Sequence, residues 1–520
     1  MSNFDTRVMK NRRFRLSQIT TMMLLLSASA VSADQSTYSY TIVDTNQSQC
    51  SDTSNTLDTC IAPGESGFGQ DAQYQGNSAS YSVNPNGTIT DNNTGLIWAQ
   101  SIDINGDGQI TAADKVTYDQ AISYAAQLKL GGYDDWRVPT IKELYSLMMF
   151  DGQDPSGIRG AGNYSIRPFI DHTVFGFESG DTKAGERLID SQYLSSTKYV
   201  STTMNGDETV FGVNFIDGRI KGYGTSSPRG TEKTFYLLTV RDNTDYGINQ
   251  FVDNDNGTIT DLATGLTWQQ GDSQQGMDWF SALSYCENLE LADSTDWRLP
   301  NAKELQSIVD YSKSPDTSNS AAIDTMFEVT SIVNEDDKID YPNYWSSTTH
   351  ANLKNSKNAA YIAFGRSMGY MNGSWKDVHG AGAQRSDPKQ YTGQDYPQGH
   401  GPQGDAVRYQ NYVRCVTDNE TQLVENPTVE VRETKHYQLD GSETEMNSQQ
   451  PGPMRPSSFA PSKASGAKRG NPMADLDKNG DGKLSRSEVR GPLAQDFSRL
   501  DRNNDGYITS DELPSHPPKR

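Results

Sequence analysis

The chain has 520 residues, 34% of them hydrophobic, with 67 Asp and Glu against 45 Lys and Arg and a net charge of −22; its mean hydropathy is −0.73. That length allows two to four domains, and the low hydropathy assigns part of the chain to linkers and polar loops. So acidic a chain repels nucleic acid and anionic lipid, which excludes them as partners and points to cations, or to neutral ligands held through cations.

Residues 1–33 read as a signal peptide. Lys10, Arg12, Arg13 and Arg15 form a basic segment, "ITTMMLLLSASAV" is apolar, and "VSA" before Asp34 supplies small residues at a cleavage site. The apolar run is too short to span a bilayer, and no similar run follows, so no membrane span is expected in the mature chain. Cleavage takes five basic groups and one acid and moves the net charge from −22 to −26. The expected location is the periplasm, the outside of the cell or its surface.

Residues 34–83 form an N-terminal extension carrying Cys50 and Cys60. Next comes a duplication. "NGTITDNNTGLIW" (86–98) returns as "NGTITDLATGLTW" (256–268), and "DWRVPTIKEL" (135–144) as "DWRLPNAKEL" (296–305). "SST" at 195–197 recurs at 346–348, and "GRIKGY" (218–223) recurs as "GRSMGY" (365–370). The blocks keep their order, so two sibling domains are expected at 84–242 and 254–418, each a self-contained globule.

Within one copy, "GTITD…TGLTW" alternates around a glycine turn and predicts a β-hairpin. "FSALSYCENLEL" places Phe280, Leu283, Leu289 and Leu291 at near-helical spacing. Pro300 and Asn301 open a second helix with Leu305, Ile308 and Val309 on one face. Short strands ("YWSST", "AAYIAFG", "NYVRCVTD") close the copy. The fold class is α+β, two helices against a small, mostly antiparallel sheet. In the DWR blocks (Asp135, Trp136, Arg137; Asp296, Trp297, Arg298) we expect Trp in the core and Arg pairing with a carboxylate at the helix entrance. Trp98 and Trp268 are expected in the core.

The first copy holds "DINGDGQITAAD" (103–114). Asp103, Asn105, Asp107, Gln109 (through its carbonyl), Thr111 and Asp114 fall at the ligand positions of a calcium loop, with Gly108 at its turn. Trp98 to Ala121 spans nine residues more than Trp268 to Ala282, so the loop reads as an insertion that feeds directly into the helix behind it.

The second copy carries Cys286 and Cys415, which align with Ala125 and Thr239 of the first. Joint absence predicts a Cys286–Cys415 bridge, and Cys50 then pairs with Cys60. The second copy also carries a long insertion, "MNGSWKDVHGAGAQRSDPKQYTGQDYPQGHGPQGDAV". Its Trp375, Tyr391 and Tyr396 are candidate ligand-binding residues, suited to stacking on sugars or equally to an unstructured surface loop.

Residues 419–470 read as a disordered linker. Residues 471–520 hold two calcium loops. Asp477, Asn479, Asp481, Lys483, Ser485 and Glu488 form the first ligand set, and Asp501, Asn503, Asp505, Tyr507, Thr509 and Glu512 the second, with Lys483 and Tyr507 contributing carbonyls. Gly482 and Gly506 occupy the turn, and Leu484 and Ile508 the position where paired loops meet. This is a small all-α EF-hand pair, and Ca²⁺ is the expected cofactor.

The ordered blocks "NGTITDxxTGLxW", "DWRLPxxKEL", "YWSST", "GRxxGY" and "RCV" resemble the Lcl C-terminal domain family. That resemblance implies a C-type-lectin-like fold, shared with formylglycine-generating enzymes, a surface or secreted location, and glycan binding, with no catalytic site. The functional expectation is an exported calcium-binding protein that binds a glycan or surface protein in adhesion. The alternatives are a non-catalytic scaffold recruiting a protein partner through its EF-hands, and a formylglycine-generating-type enzyme. No metalloprotease, hydrolase or phosphate-loop motif is present.

Overall fold

The computed structural model describes residues 38–439, apart from 159, 205, 227–229 and 430, together with residues 483–486 and 505–509. The expected signal peptide lies outside the described residues. The chain divides into two compact units, Met1–Pro456 and Ser457–Arg520.

In the larger unit, the extension ends in β1 (Tyr74–Gln75). Repeat one opens with β2 (Tyr81–Val83), β3 (Thr88–Asp91) and β4 (Ile97–Ala99), and β9 (Val240–Arg241) closes this sheet beside β4. Between them come α1 (Tyr118–Ala125), α2 (Ile141–Ser146), β5 (Gly162–Ile166) and the strands β6 (Gln192–Thr203), β7 (Asp207–Asn214) and β8 (Arg219–Gly224). Repeat two follows the same plan. β10 (Phe251–Asp253), β11 (Thr258–Asp261) and β12 (Thr267–Gln269) make the opening sheet, closed by β20 (Val416–Thr417). Its helices are α3 (Trp279–Glu287) and α4 (Ala302–Ser307). Next come a small ladder of β13 (Ile332–Val333) and β14 (Ile339–Asp340), then β15 (Asn343–His350) and β16 (Asn358–Ala363). β17 (Met368–Met371) and β18 (Ser374–Asp377) form a hairpin, and β19 (Gln384–Pro388) follows.

The predicted hairpins form in both copies. Ile89 opposes Trp98 and Ile259 opposes Trp268 across them, and all four side chains are buried. Three helices begin in a reciprocal capping box, Thr117 with Gln120, Thr140 with Glu143, and Asn301 with Glu304. Helix α3 is shorter than its apolar pattern. It stops at Glu287, and Leu289 and Leu291 lie beyond it, where Ala292 and Asp293 take positive φ in a tight turn. Strand outweighs helix overall.

The expectation of two self-contained globules does not hold. One hydrophobic core contains Trp98, Leu144 and Phe211 of repeat one together with Trp268, Leu305 and Tyr344 of repeat two. One six-stranded sheet, in the order β15-β16-β19-β8-β7-β6, runs through both repeats. The strand that joins the halves is β19, which lies inside the insertion of repeat two. It pairs with β16 over five residues and reaches β8 of repeat one at Gln384 opposite Ile220. The Gly222 amide extends that junction to the His379 carbonyl. Edge strands expose unpaired amides and carbonyls, and here the edges of two copies are satisfied through one inserted strand.

Residues 419–439, the start of the expected linker, also run across the body. β21 (Gln422–Leu423) pairs with β1, and β22 (Lys435–Leu439) pairs with β5 over five residues. Arg432 clasps Asp151 at 2.5 Å and Lys435 meets Glu178 at 2.7 Å. The remainder of the linker lies outside the described residues.

In the smaller unit, β23 (Leu484–Ser485) pairs antiparallel with β24 (Tyr507–Ile508), with Leu484 directly opposite Ile508. The helices expected to flank these loops lie outside the described residues.

Candidate calcium loops and the seam between the repeats

The smaller unit fits paired calcium loops where it is described. Leu484 and Ile508, predicted to join the loops, are buried against each other. Gly506 has φ +87°, which a side chain would strain. The Asp505 carboxylate accepts the Tyr507 amide at 3.0 Å. Lys483, Ser485 and Thr509 lie beside these positions. Asp477, Asn479, Asp481, Glu488, Asp501, Asn503 and Glu512 lie outside the described residues.

The loop at 103–114 is closed by its own amides. Asp103 accepts from Gly106 at 2.7 Å and Gly108 at 2.8 Å. Asn105 accepts from Asp107 and Asp107 from Gln109. Asp114 is fully buried and accepts from Ile104 and Asn105 on one oxygen and from Thr111 on the other. Asp114 thus acts as the clasp that pins both ends of the loop. Among the described residues, no group of three or more His, Cys, Asp or Glu side chains is placed to hold a metal; the loop's other expected ligands are Asn105, Thr111 and the Gln109 carbonyl. Nor does the loop run directly into the helix. A 3₁₀ turn (Ala112–Asp114) and a bridge from Val116 to Phe235 intervene before Thr117 caps α1.

Both disulfides form, Cys286–Cys415 and Cys50–Cys60, and no cysteine is free. The DWR blocks are structural. Trp136 and Trp297 are buried. Arg137 grips Glu143 with two hydrogen bonds, and Arg298 grips Glu304 with two at 2.7 Å and reaches Asp418 at 2.5 Å. Each Glu also caps its helix, accepting from the Thr140 or the Asn301 amide. One carboxylate therefore fixes the arginine and the helix start together.

The three candidate ligand aromatics have separate partners. Trp375, on β18, meets Tyr370 edge-on at 5.4 Å. Tyr391 is 56% exposed, meets Tyr409 at 5.0 Å and donates to Asp395. Tyr396 packs on His400 at 5.0 Å. Bridges from Asp405 to Gly369 and His400 bring the loop back onto the β17–β18 hairpin.

The seam between the repeats was not foreseen. The lysine of each "KEL" block crosses it. Lys142 donates to the Ser307 carbonyl of repeat two at 2.6 Å, and Lys303 to the Ser146 carbonyl of repeat one at 2.8 Å. Each also donates to a connecting segment, Lys142 to Gly247 and Lys303 to Asp44. Burial pushes both lysines down to about 8. Tyr40 and Tyr246 meet at 4.8 Å beside them. The identical "KEL" at both sites was the available signal, since a reciprocal contact requires the same residue twice.

The extension is fastened to this seam. Asp71 is buried and accepts from Thr348 at 2.6 Å and Thr45 at 2.8 Å. Burial, with Asp44 nearby, raises its carboxyl to about 8 despite those two donors. Beside Lys142 a cleft of about 580 Å³ opens between α2, the connector at 244–251 and residues 308–311 of repeat two.

Comparison with known families agrees with the repeat. The family model described as Lcl C-terminal domain matches residues 87–241 and 257–381, together more than half of the chain. The EF hand model matches residues 473–491 and 494–513. No curated protein and no solved structure matches the chain significantly.

Proposed function

The chain belongs to the Lcl C-terminal domain family, and from that premise we propose that it is an exported, calcium-binding recognition protein that binds a glycan or surface protein in adhesion. The observation that carries this reading is the loop at 389–405. It sets Tyr391 and Tyr396 among exposed amides and hydroxyls on the two-repeat body, the surface chemistry that stacks on and hydrogen-bonds to sugars. The EF-hand pair gives the chain calcium-binding capacity. Two disulfides accord with an oxidising compartment, and so with export to the periplasm or cell surface. The absence of a free thiol argues against chemistry of the formylglycine-generating type. A C-type-lectin-like architecture belongs to the same proposal.

The compact C-terminal unit, Ser457–Arg520, favours a second reading in which the EF-hands recruit a protein partner while the body acts as a scaffold. A glycan array with and without a calcium chelator, repeated with Tyr391→Ala, separates the two. Calcium-dependent glycan binding weakened by the substitution supports recognition at this loop. No binding under either condition refutes glycan recognition and leaves the scaffold.

A further inference from the structure

The two repeats are related across the seam, yet among the described residues one face is covered and its counterpart is open. After Asp44 touches Lys303, the extension makes an excursion over Thr45–Gln73 before β1. After Gly247 touches Lys142, the connector enters β10 within a few residues. The excursion covers a face made by repeat two together with Phe150 of repeat one. Its Thr45 carbonyl accepts the Phe150 amide at 2.7 Å. Asp71 takes the hydroxyl of Thr348, which also accepts the Ala302 amide at 2.9 Å. Gln47 accepts the Thr349 amide at 2.8 Å and donates to the Phe150 carbonyl.

The corresponding positions, with the two repeats exchanged, line the open cleft. Tyr311 aligns with Phe150, and among the described residues no acceptor meets its amide. Thr197 aligns with Thr348 and accepts the Ile141 amide at 3.0 Å. Thr348 is fully buried under the excursion, whereas Thr197 is half-buried in the cleft. Likewise Asn301 is buried and its counterpart Thr140 is exposed. Among the described residues, the cleft is therefore the unfilled equivalent of a seat that the extension fills with a polar, extended peptide.

We propose that this cleft binds an extended, hydroxyl- and amide-bearing peptide segment of a partner protein, seated as Thr45–Gln47 is seated across the seam. A main-chain carbonyl of the guest would accept the Tyr311 amide, and a side-chain oxygen would accept the Thr197 hydroxyl, so that backbone pairing supplies affinity and side-chain acceptors supply selection.

The test is a fluorescein-labelled synthetic peptide with the sequence of residues 41–49, titrated into the full chain and followed by anisotropy. We expect saturable binding, weakened at least tenfold by Ile248→Asp. Ile248 lines the cleft and is 56% exposed, so the fold tolerates the change. Hydrogen exchange should show the Tyr311 amide gaining protection when peptide is present. No saturable binding up to millimolar peptide overturns the proposal. So does binding unaffected by Ile248→Asp, which would mean exchange with the resident extension. Glycan binding lost in Ile248→Asp would assign the cleft to sugar and overturn the peptide reading, while leaving recognition at Tyr391 to its own test.

Discussion

Replacing Cys286 and Cys415 with alanine tests whether the larger unit behaves as one cooperative body. The bridge closes a span of 129 residues. Loop-closure entropy for a span of that size corresponds to about 5 kcal/mol at 25 °C. A body of about 400 residues unfolds with an entropy of about 0.8 kcal/mol per kelvin at the per-residue average, so the midpoint should fall by about 6 °C. The bridge lies in a cluster belonging to repeat two, with Trp279, Trp297 and Trp345. The main core and the six-stranded sheet belong to both repeats, so both should melt together. Differential scanning calorimetry with calcium held constant should show one transition displaced downward. Hydrogen exchange should show β6–β8 losing protection with β15 and β16. A second transition, with β6–β8 melting at the original temperature, would refute the shared core. An unchanged midpoint would refute the entropic estimate.

Glu304→Ala should cost about 3–5 kcal/mol, because it leaves the buried Arg298 without its two-point partner and α4 without its cap; Glu143→Ala should cost less, since the Arg137 side chain is 30% exposed and regains water. Urea denaturation of both variants checks the order. His350 and His379 are pushed down to about 4 by burial, with Arg219 and Arg385 respectively opposing their protonation. Their folded values lie below the unfolded 6.5, so their contribution is complete above about pH 6.5 and is lost as pH falls through 4. His379→Gln should therefore flatten the stability profile between pH 6.5 and 4, and an unchanged slope would count against a buried neutral imidazole. Asp477→Ala with Asp501→Ala should abolish calcium binding in titration calorimetry and leave the melting of the larger unit unchanged. A residual site in that variant would place calcium at 103–114.

Much of the local structure was legible because its causes are local. The glycine turns, the alternation around Trp98 and Trp268, and the capping glutamates of both KEL blocks act within a few residues of themselves. The Cys286–Cys415 pairing was legible because a duplicated sequence supplies its own control. The joining of the repeats was not. Nothing local marks Lys142 and Lys303, because only the opposite repeat supplies the carbonyls that they meet. β19 sits in a glycine-rich insertion whose composition reads as loop, and it is a strand because two sheet edges need one. At 103–114 the ligand pattern was plain, but that Asp114 accepts three loop amides was not, because a linear pattern does not show which way a side chain turns. The insertion of the ligand candidates is divided, with β19 inside the six-stranded sheet and Tyr391 exposed, and the three rings have separate partners.

The position of β19 also dictates an order of events. β8 ends at Gly224, and its neighbour in the sheet begins at Gln384, roughly 160 residues later. Until that stretch is made, repeat one has an open strand edge and its half of the core lacks its other wall. Long-range pairing of this kind is slow to form, because the closure of the intervening chain must come before any contact offsets it. The first repeat therefore waits for the second. The shared sheet and the shared core therefore close together, only after the chain as far as β19 has been made.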